Sequence, residues 1–173
     1  MSCVVGLIHN GKVYLGSDGI STNMNGDHRP VYCEKLFWNE KYLIGFTGSI
    51  RTGQLLRPEY FTPPDDIKDL PDAMREHFSN KGALCQDEDG GSAQQSNFLI
   101  AWKGLIYDVL TDFQLNLTYG DYNAIGNGAN TALGSFFTSE KIKSPEKRVL
   151  TALRAASEFS FAVGPPYTIE VME

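Results

Sequence analysis

The chain has 173 residues, 42% of them hydrophobic and 21% charged, a composition that suits one globular domain with a sizeable core. Its formal net charge is −6 and no Lys/Arg cluster interleaves with aromatic residues, so nucleic acid is excluded as the main partner. No stretch approaches membrane-spanning length, and the first residues lack the basic start and long apolar run of a signal peptide, so no membrane partner and a cytoplasmic location are expected. Cys3, Cys33 and Cys85 have no metal-ligand spacing and read as reduced thiols.

Ser2 follows Met1 and is small enough for the initiator methionine to be removed. A hydroxyl would then sit beside its own α-amine, whose ordinary pKa of about 7.7–8.0 lets it serve as a base near neutrality. Residues 3–8 read as a strand, His9-Asn10-Gly11 as a hairpin turn, and 12–17 as the return strand that Asp18-Gly19 ends. A strand carrying Lys35-Leu36-Phe37-Trp38 turns at Asn39-Glu40 and returns through 42–48. These hairpins can bring Ser2, Asp18 and Lys35 together at one end of a sheet.

Residues 49–60 start helically until Pro58 and Pro63-Pro64 break the pattern. Residues 66–80 predict a second helix, with Leu70, Met74 and Phe78 at helical spacing. The polar run 86–96 reads as a loop. Strands are expected at 97–102 and 105–110, joined at Lys103-Gly104, with a further one within 113–118. A helix starts after Gly126-Asn127-Gly128, and another at Ser144-Pro145-Glu146, where serine caps and proline takes the first turn. Val149, Leu150, Leu153 and Ala156 give that last helix its buried stripe. Helices before and after two groups of antiparallel strands make an α+β layer pattern in one domain spanning 1–173.

The order and spacing of Ser2, Asp18 and Lys35 resemble the proteasome β-subunit and HslV-like family of N-terminal-nucleophile (Ntn) hydrolases. Gly45-Phe46-Thr47-Gly48, Gly126-Asn127-Gly128 and the ending Tyr167-Thr168-Ile169-Glu170 extend the resemblance over nearly the whole chain. It implies a four-layer αββα sandwich. It also implies catalytic roles for Ser2 as nucleophile, for Asp18 and Lys35 beside it, for the Gly45 N–H at the oxyanion, and for Asn127 at the glycine-flanked turn. The departures are a serine where the family has threonine, Asn127 where it has serine, and a Lys35 register one residue longer. Ser160 and Val163 stand where proteasomal relatives carry aspartate and serine.

The resemblance implies a peptidase acting on peptides or unfolded protein, assembled as a homo-oligomeric ring and compatible with an unfoldase partner. The chemistry requires no cofactor. A monovalent ion held near Ser157, Ser160 and Val163 is suggested by the family alone, and no metal is expected from the residues. Leu43 would favour an apolar residue before the cleaved bond. Each residue also has an ordinary reading: Asp18 as a turn former, Lys35 as half of a surface pair with Glu34, Gly45 as a packing glycine. Cys3 is a rival nucleophile if both Met1 and Ser2 are removed, and His9, His28 and His77 form no serine–histidine triad. A catalytically silent scaffold and a small-molecule amidohydrolase are the alternative functions.

Overall fold

In the computed structural model the described residues are 2–22, 28–29, 34–86 and 92–173. Met1, Cys33 and residues 87–91 of the polar run lie outside them. Strands β1 (Cys3–His9) and β2 (Lys12–Ser17) form the first hairpin. Its two-residue turn places Asn10 at φ 51° and Gly11 at φ 76°, the left-handed pair that matches strand twist. The ribbon β3 (Ser21–Thr22) and β4 (His28–Arg29) follows, then β5 (Leu36–Asn39) and β6 (Tyr42–Gly48).

Helix α1 (Ile50–Leu55) precedes a 3₁₀ turn at Ile67–Asp69 and α2 (Leu70–Asn80). The ribbon β7 (Cys85–Gln86) and β8 (Ser92–Ala93) occupies the ends of the polar run, and β9 (Ser96–Trp102), β10 (Leu105–Val109) and β11 (Leu115–Leu117) form a meander. Strand β12 (Tyr122–Gly126), helices α3 (Ala129–Thr138) and α4 (Pro145–Phe159), and β13 (Thr168–Met172) complete the chain.

Two antiparallel sheets result, ordered β12-β1-β2-β13 and β11-β10-β9-β6-β5. Strand alternation divides their side chains among three apolar layers. Val4, Val13, Leu15 and Ile125 of the first sheet meet Leu36, Leu43, Leu99 and Ile106 of the second. Cys3, Val5 and Leu7 turn the other way, onto Val149, Leu153 and Ala156 of α4 and Phe136 of α3. On the far face of the second sheet, Ile44, Phe46, Phe98 and Ile100 pack with Leu55, Leu70, Met74 and Phe78 from α1 and α2. The arrangement is the expected αββα sandwich.

Helix α4 begins as the sequence predicts, with the Lys147 N–H donating to Ser144 Oγ at 3.2 Å and Pro145 in the first turn. Helix α1 stops short of its expected end. The buried Asn39 amide donates to the carbonyls of Leu56 and Phe61 at 2.8 and 2.9 Å, taking acceptors that a continuing helix would have used. Strands β12 and β13, not foreseen as strands, are the outer strands of the first sheet. They are defined by pairing with β1 and β2 rather than by their own composition.

Gly45 lies between the sheets. A Cβ there would come 2.6 Å from Val4 Cγ1 and 2.9 Å from Leu36 Cδ2. Gly45→Ala should therefore lower unfolding free energy by about 1–3 kcal/mol through overpacking. Urea unfolding measures this; a midpoint equal to the parent's would place Gly45 away from the inter-sheet contact.

Candidate active site

Ser2 precedes β1, and alternation puts it on the inter-sheet side with Val4 while Cys3 faces the helices. Its carbonyl accepts the Asn127 N–H at 2.8 Å, tying the start of the chain to the turn between β12 and α3. Gly126, at φ 91°, makes that approach possible. A Cβ there would sit 2.3 Å from the Ser2 oxygen and 2.8 Å from Thr47 Cγ2, so Ser2, Gly126 and the end of β6 converge.

One residue later, the Cys3 N–H donates to Asp18 Oδ1 at 2.9 Å and the Cys3 carbonyl accepts the Asp18 N–H at 3.1 Å. Asp18 leaves the end of β2, whose register sets Ser17 opposite Val4. The Lys35 ammonium donates to the same Oδ1 at 2.6 Å and to the Ile20 carbonyl at 2.6 Å. Oδ2 accepts longer bonds from the Ile20 and Gly164 N–H groups, each at 3.4 Å. Asp18 and Lys35 are buried, at 1% and 5% exposure. Removing one partner of such a pair strands the other charge and costs about 3–5 kcal/mol.

Lys35 is held at the start of β5, where its carbonyl accepts the Phe46 N–H at 3.1 Å. Its side chain turns inward to Asp18, and the expected surface pair with Glu34 does not form; Glu34 faces Arg57 at 3.6 Å. Two of the three ammonium protons are occupied by Asp18 and Ile20. Ser2, Asp18 and Lys35 are thus drawn to one end of the two sheets.

Gly45 is not brought with them. Because the Phe46 N–H points to β5, the Gly45 N–H points the other way, to β9, where Gly45 pairs with Leu99. Gly48, at φ 102° on the last residue of β6, borders an open cleft beside Gly126 and Asn127 instead. Leu43, expected at the substrate pocket, is fully buried between the sheets. Asn127 is exposed, borders that cleft and donates its N–H to the Ser2 carbonyl.

Cys3 packs against Gly128, where a Cβ would lie 3.0 Å from Sγ. Burial, reinforced by the Asp18 charge and opposed by Lys35, pushes its thiol up to about 12, and Cys3 packs in the helix-side core. His77 belongs to the α1–α2 layer, with a ring nitrogen 2.9 Å from the Leu55 carbonyl. Ser160 and Val163 form a turn, closed by the Val163 N–H on the Ser160 carbonyl at 3.1 Å, that presents Gly164 to Asp18. Among the described residues no group of three or more His, Cys, Asp or Glu is placed to hold a metal ion.

Sequence reasoning missed Gly164 and Gly48. Gly48 stands three residues after Gly45 in the same Gly45-Phe46-Thr47-Gly48 segment. Gly164 carried only a turn signal before Pro165-Pro166.

The whole fold is similar to solved structures of proteasome-like proteins. BPH of Thiobacillus denitrificans, solved in complex with epoxomicin, superimposes with a TM-score of 0.83 at 22% identity, covering 99% of this chain and 98% of that one. HslV from Trypanosoma brucei gives 0.74 at 16% identity, covering 99% of each chain. Anbu, described as an ancestral β-subunit, from Yersinia bercovieri gives 0.70 at 14%, covering 99% of this chain and 81% of that one. No protein-family model and no curated protein matches the sequence. The chain has the proteasome-like Ntn-hydrolase fold.

A thiol held near pH 12 is almost entirely protonated at pH 8, with about one part in ten thousand as thiolate. Iodoacetamide at pH 8 should leave Cys3 unmodified in the folded protein and alkylate it after denaturation, as read by peptide mass mapping. Rapid alkylation of Cys3 in the folded state would return it to the list of candidate nucleophiles.

Proposed function

We propose that this protein is a proteasome-like Ntn hydrolase, a peptidase in which Ser2 attacks the scissile amide once Met1 has been removed. The observation that carries the reading is the single buried Asp18 carboxylate. It holds both the Cys3 N–H and the Lys35 ammonium directly behind Ser2, within a fold similar to those of HslV and BPH.

The freed Ser2 amine takes the proton from Oγ as the carbonyl is attacked, and returns it to the leaving amine as the acyl-enzyme forms. Water then repeats the sequence in reverse order of groups. Lys35 has one ammonium proton left for Ser2 Oγ, and its charge depresses the pKa of the nearby amine. Asp18 fixes Lys35 and the backbone behind the nucleophile. Main-chain donors at the Thr47-Gly48 end of β6 replace Gly45 as the oxyanion site in this reading, a contribution of ~3 kcal/mol where such donors have been removed. Asn127 positions Ser2 through its N–H and relays no proton, because an amide lacks a hydroxyl's exchangeable proton.

A homo-oligomeric ring acting on peptides or unfolded protein, with an unfoldase as a compatible partner, completes the proposal. Phe137 and Phe159, exposed on the outer helical layer at 68% and 79%, offer apolar contact area for assembly. Among the described residues no helix is long and apolar enough to cross a membrane, and the cytoplasm is the compartment proposed.

Intact mass of untagged protein should show loss of Met1, followed by acylation of Ser2 by an amide-directed electrophile. Ser2→Ala should abolish acylation while shifting Tm by no more than about 2 °C, because it removes one oxygen and keeps the backbone bond of residue 2 to Asn127. Labelling that persists in Ser2→Ala, or retention of Met1 in the native protein, would sink the nucleophile assignment and favour a silent scaffold. Lys35→Ala raises the amine's pKa by removing a neighbouring cation. Acylation should fall at least tenfold at pH 7 and recover in part as pH rises, with Tm measured alongside to separate unfolding from chemistry. Full activity of Lys35→Ala at pH 7 would remove Lys35 from the mechanism.

A further inference from the structure

An open cleft of about 380 Å³ lies against the candidate nucleophile, bordered by Thr47, Gly48, Gln95, Asn97, Thr111 and Asn127. Gly126 and Thr47, which converge on Ser2, form its inner end. Four segments distant in sequence build it: the end of β6, the start of β9, the turn after β10 and the turn after β12. Ser96 fixes two of them to each other. Its Oγ accepts the Ser49 N–H at 3.0 Å and shares a 2.5 Å hydrogen bond with Thr52 Oγ1, while the Gln95 carbonyl accepts the Ser49 N–H at 3.0 Å.

The chemistry of the lining is uniform. Among the described residues, no charged and no large apolar residue borders the cleft. The side-chain amides of Gln95, Asn97 and Asn127 are not engaged in any hydrogen bond among the described residues, so each offers both donors and acceptors to an occupant. A leucine side chain seated there would desolvate these amides without replacing their water. A lysine or aspartate would find no opposite charge. A neutral side chain with its own donor and acceptor satisfies the lining, and sites built from hydrogen-bonding groups reject occupants that leave them unpaired.

We propose that this cleft is the subsite that selects a residue flanking the scissile bond, and that it takes a carboxamide side chain, glutamine or asparagine, over leucine, lysine or aspartate. The proposal rests on the hydrolase reading for the cleft's place beside a reacting bond, and replaces the apolar preference expected from Leu43.

Two measurements separate the subsite from the chemistry. Acylation of the Met1-processed parent by a small acetyl-transferring electrophile, which carries no side chain, scores Ser2 alone. Binding to processed Ser2→Ala is then titrated by NMR with four blocked hexapeptides that differ only in one central residue: Gln, Leu, Lys or Asp. The Gln peptide should bind about tenfold tighter than the others and shift the side-chain amide signals of Asn97 and Asn127. Asn97→Leu should narrow or invert the Gln-over-Leu ratio. Equal affinities, or a preference for Leu in the parent cleft, would overturn the subsite while successful acylation left the hydrolase standing. Selection of Gln without acylation would overturn the hydrolase and leave the cleft's selectivity in place.

Discussion

The Asp18 carboxylate is the contact on which the candidate site depends. A buried carboxylate is tolerated only when its oxygens are matched, and Asp18 is matched by groups from four parts of the chain. These are the Cys3 N–H at the start of β1, the Lys35 ammonium before β5, the Ile20 N–H next to it, and the Gly164 N–H near the C-terminal end. The Lys35 ammonium in turn reaches the Ile20 carbonyl. One ion thereby fixes the relative position of the two sheets at the end where Ser2 emerges. Stability and site geometry are coupled there, so a change to either member of the Asp18–Lys35 pair disturbs both.

The layered core gives this ion its setting. Alternation along β1 sends Cys3 to the helices and Ser2 to the opposite side. That single-residue difference puts Cys3 in the helix-side core and buried Ser2 on the inter-sheet side. The same rule acts on β6. Leu43 and Gly45 face the other sheet, Ile44 and Phe46 face α1 and α2, and only the strand end at Thr47-Gly48 reaches the cleft. The interior glycine permits close sheet packing; the terminal glycine, in the left-handed region, borders the cleft.

The amide at position 127 unites these features. The main chain of Asn127 holds Ser2 in place, and the same residue borders the cleft with Gln95 and Asn97. The turn that steadies the candidate nucleophile is thus also part of the cleft wall. In the proposed reading, placement of Ser2 and the choice of occupant depend on one turn.

Much of this molecule was legible in the residues. The hairpin at Asn10-Gly11, the capped start of α4 and most of the helix expected over 66–80 follow from local turn chemistry, capping and periodicity, whereas Ser2, Asp18 and Lys35 are singled out by the family resemblance. These signals act over a few residues and need no distant partner. What local signals could not settle are features decided across the fold. Strands β12 and β13 are composed of mixed residues and become strands because β1 and β2 offer them ladders. Helix α1 ends at Leu55, ahead of Pro58, and the Leu56 and Phe61 carbonyls beyond it are satisfied by Asn39 from another hairpin. Gly45 and Gly48 look alike in sequence, and only the pairing of β6 with both neighbours shows that one N–H is directed to the ladder while the other glycine closes the strand. The sequence by itself determined which chemistry-bearing residues the chain possesses and the order in which they occur. The tertiary structure alone decided which of them meet, because burial of Asp18 and convergence on Ser2 depend on contacts between segments up to 146 residues apart.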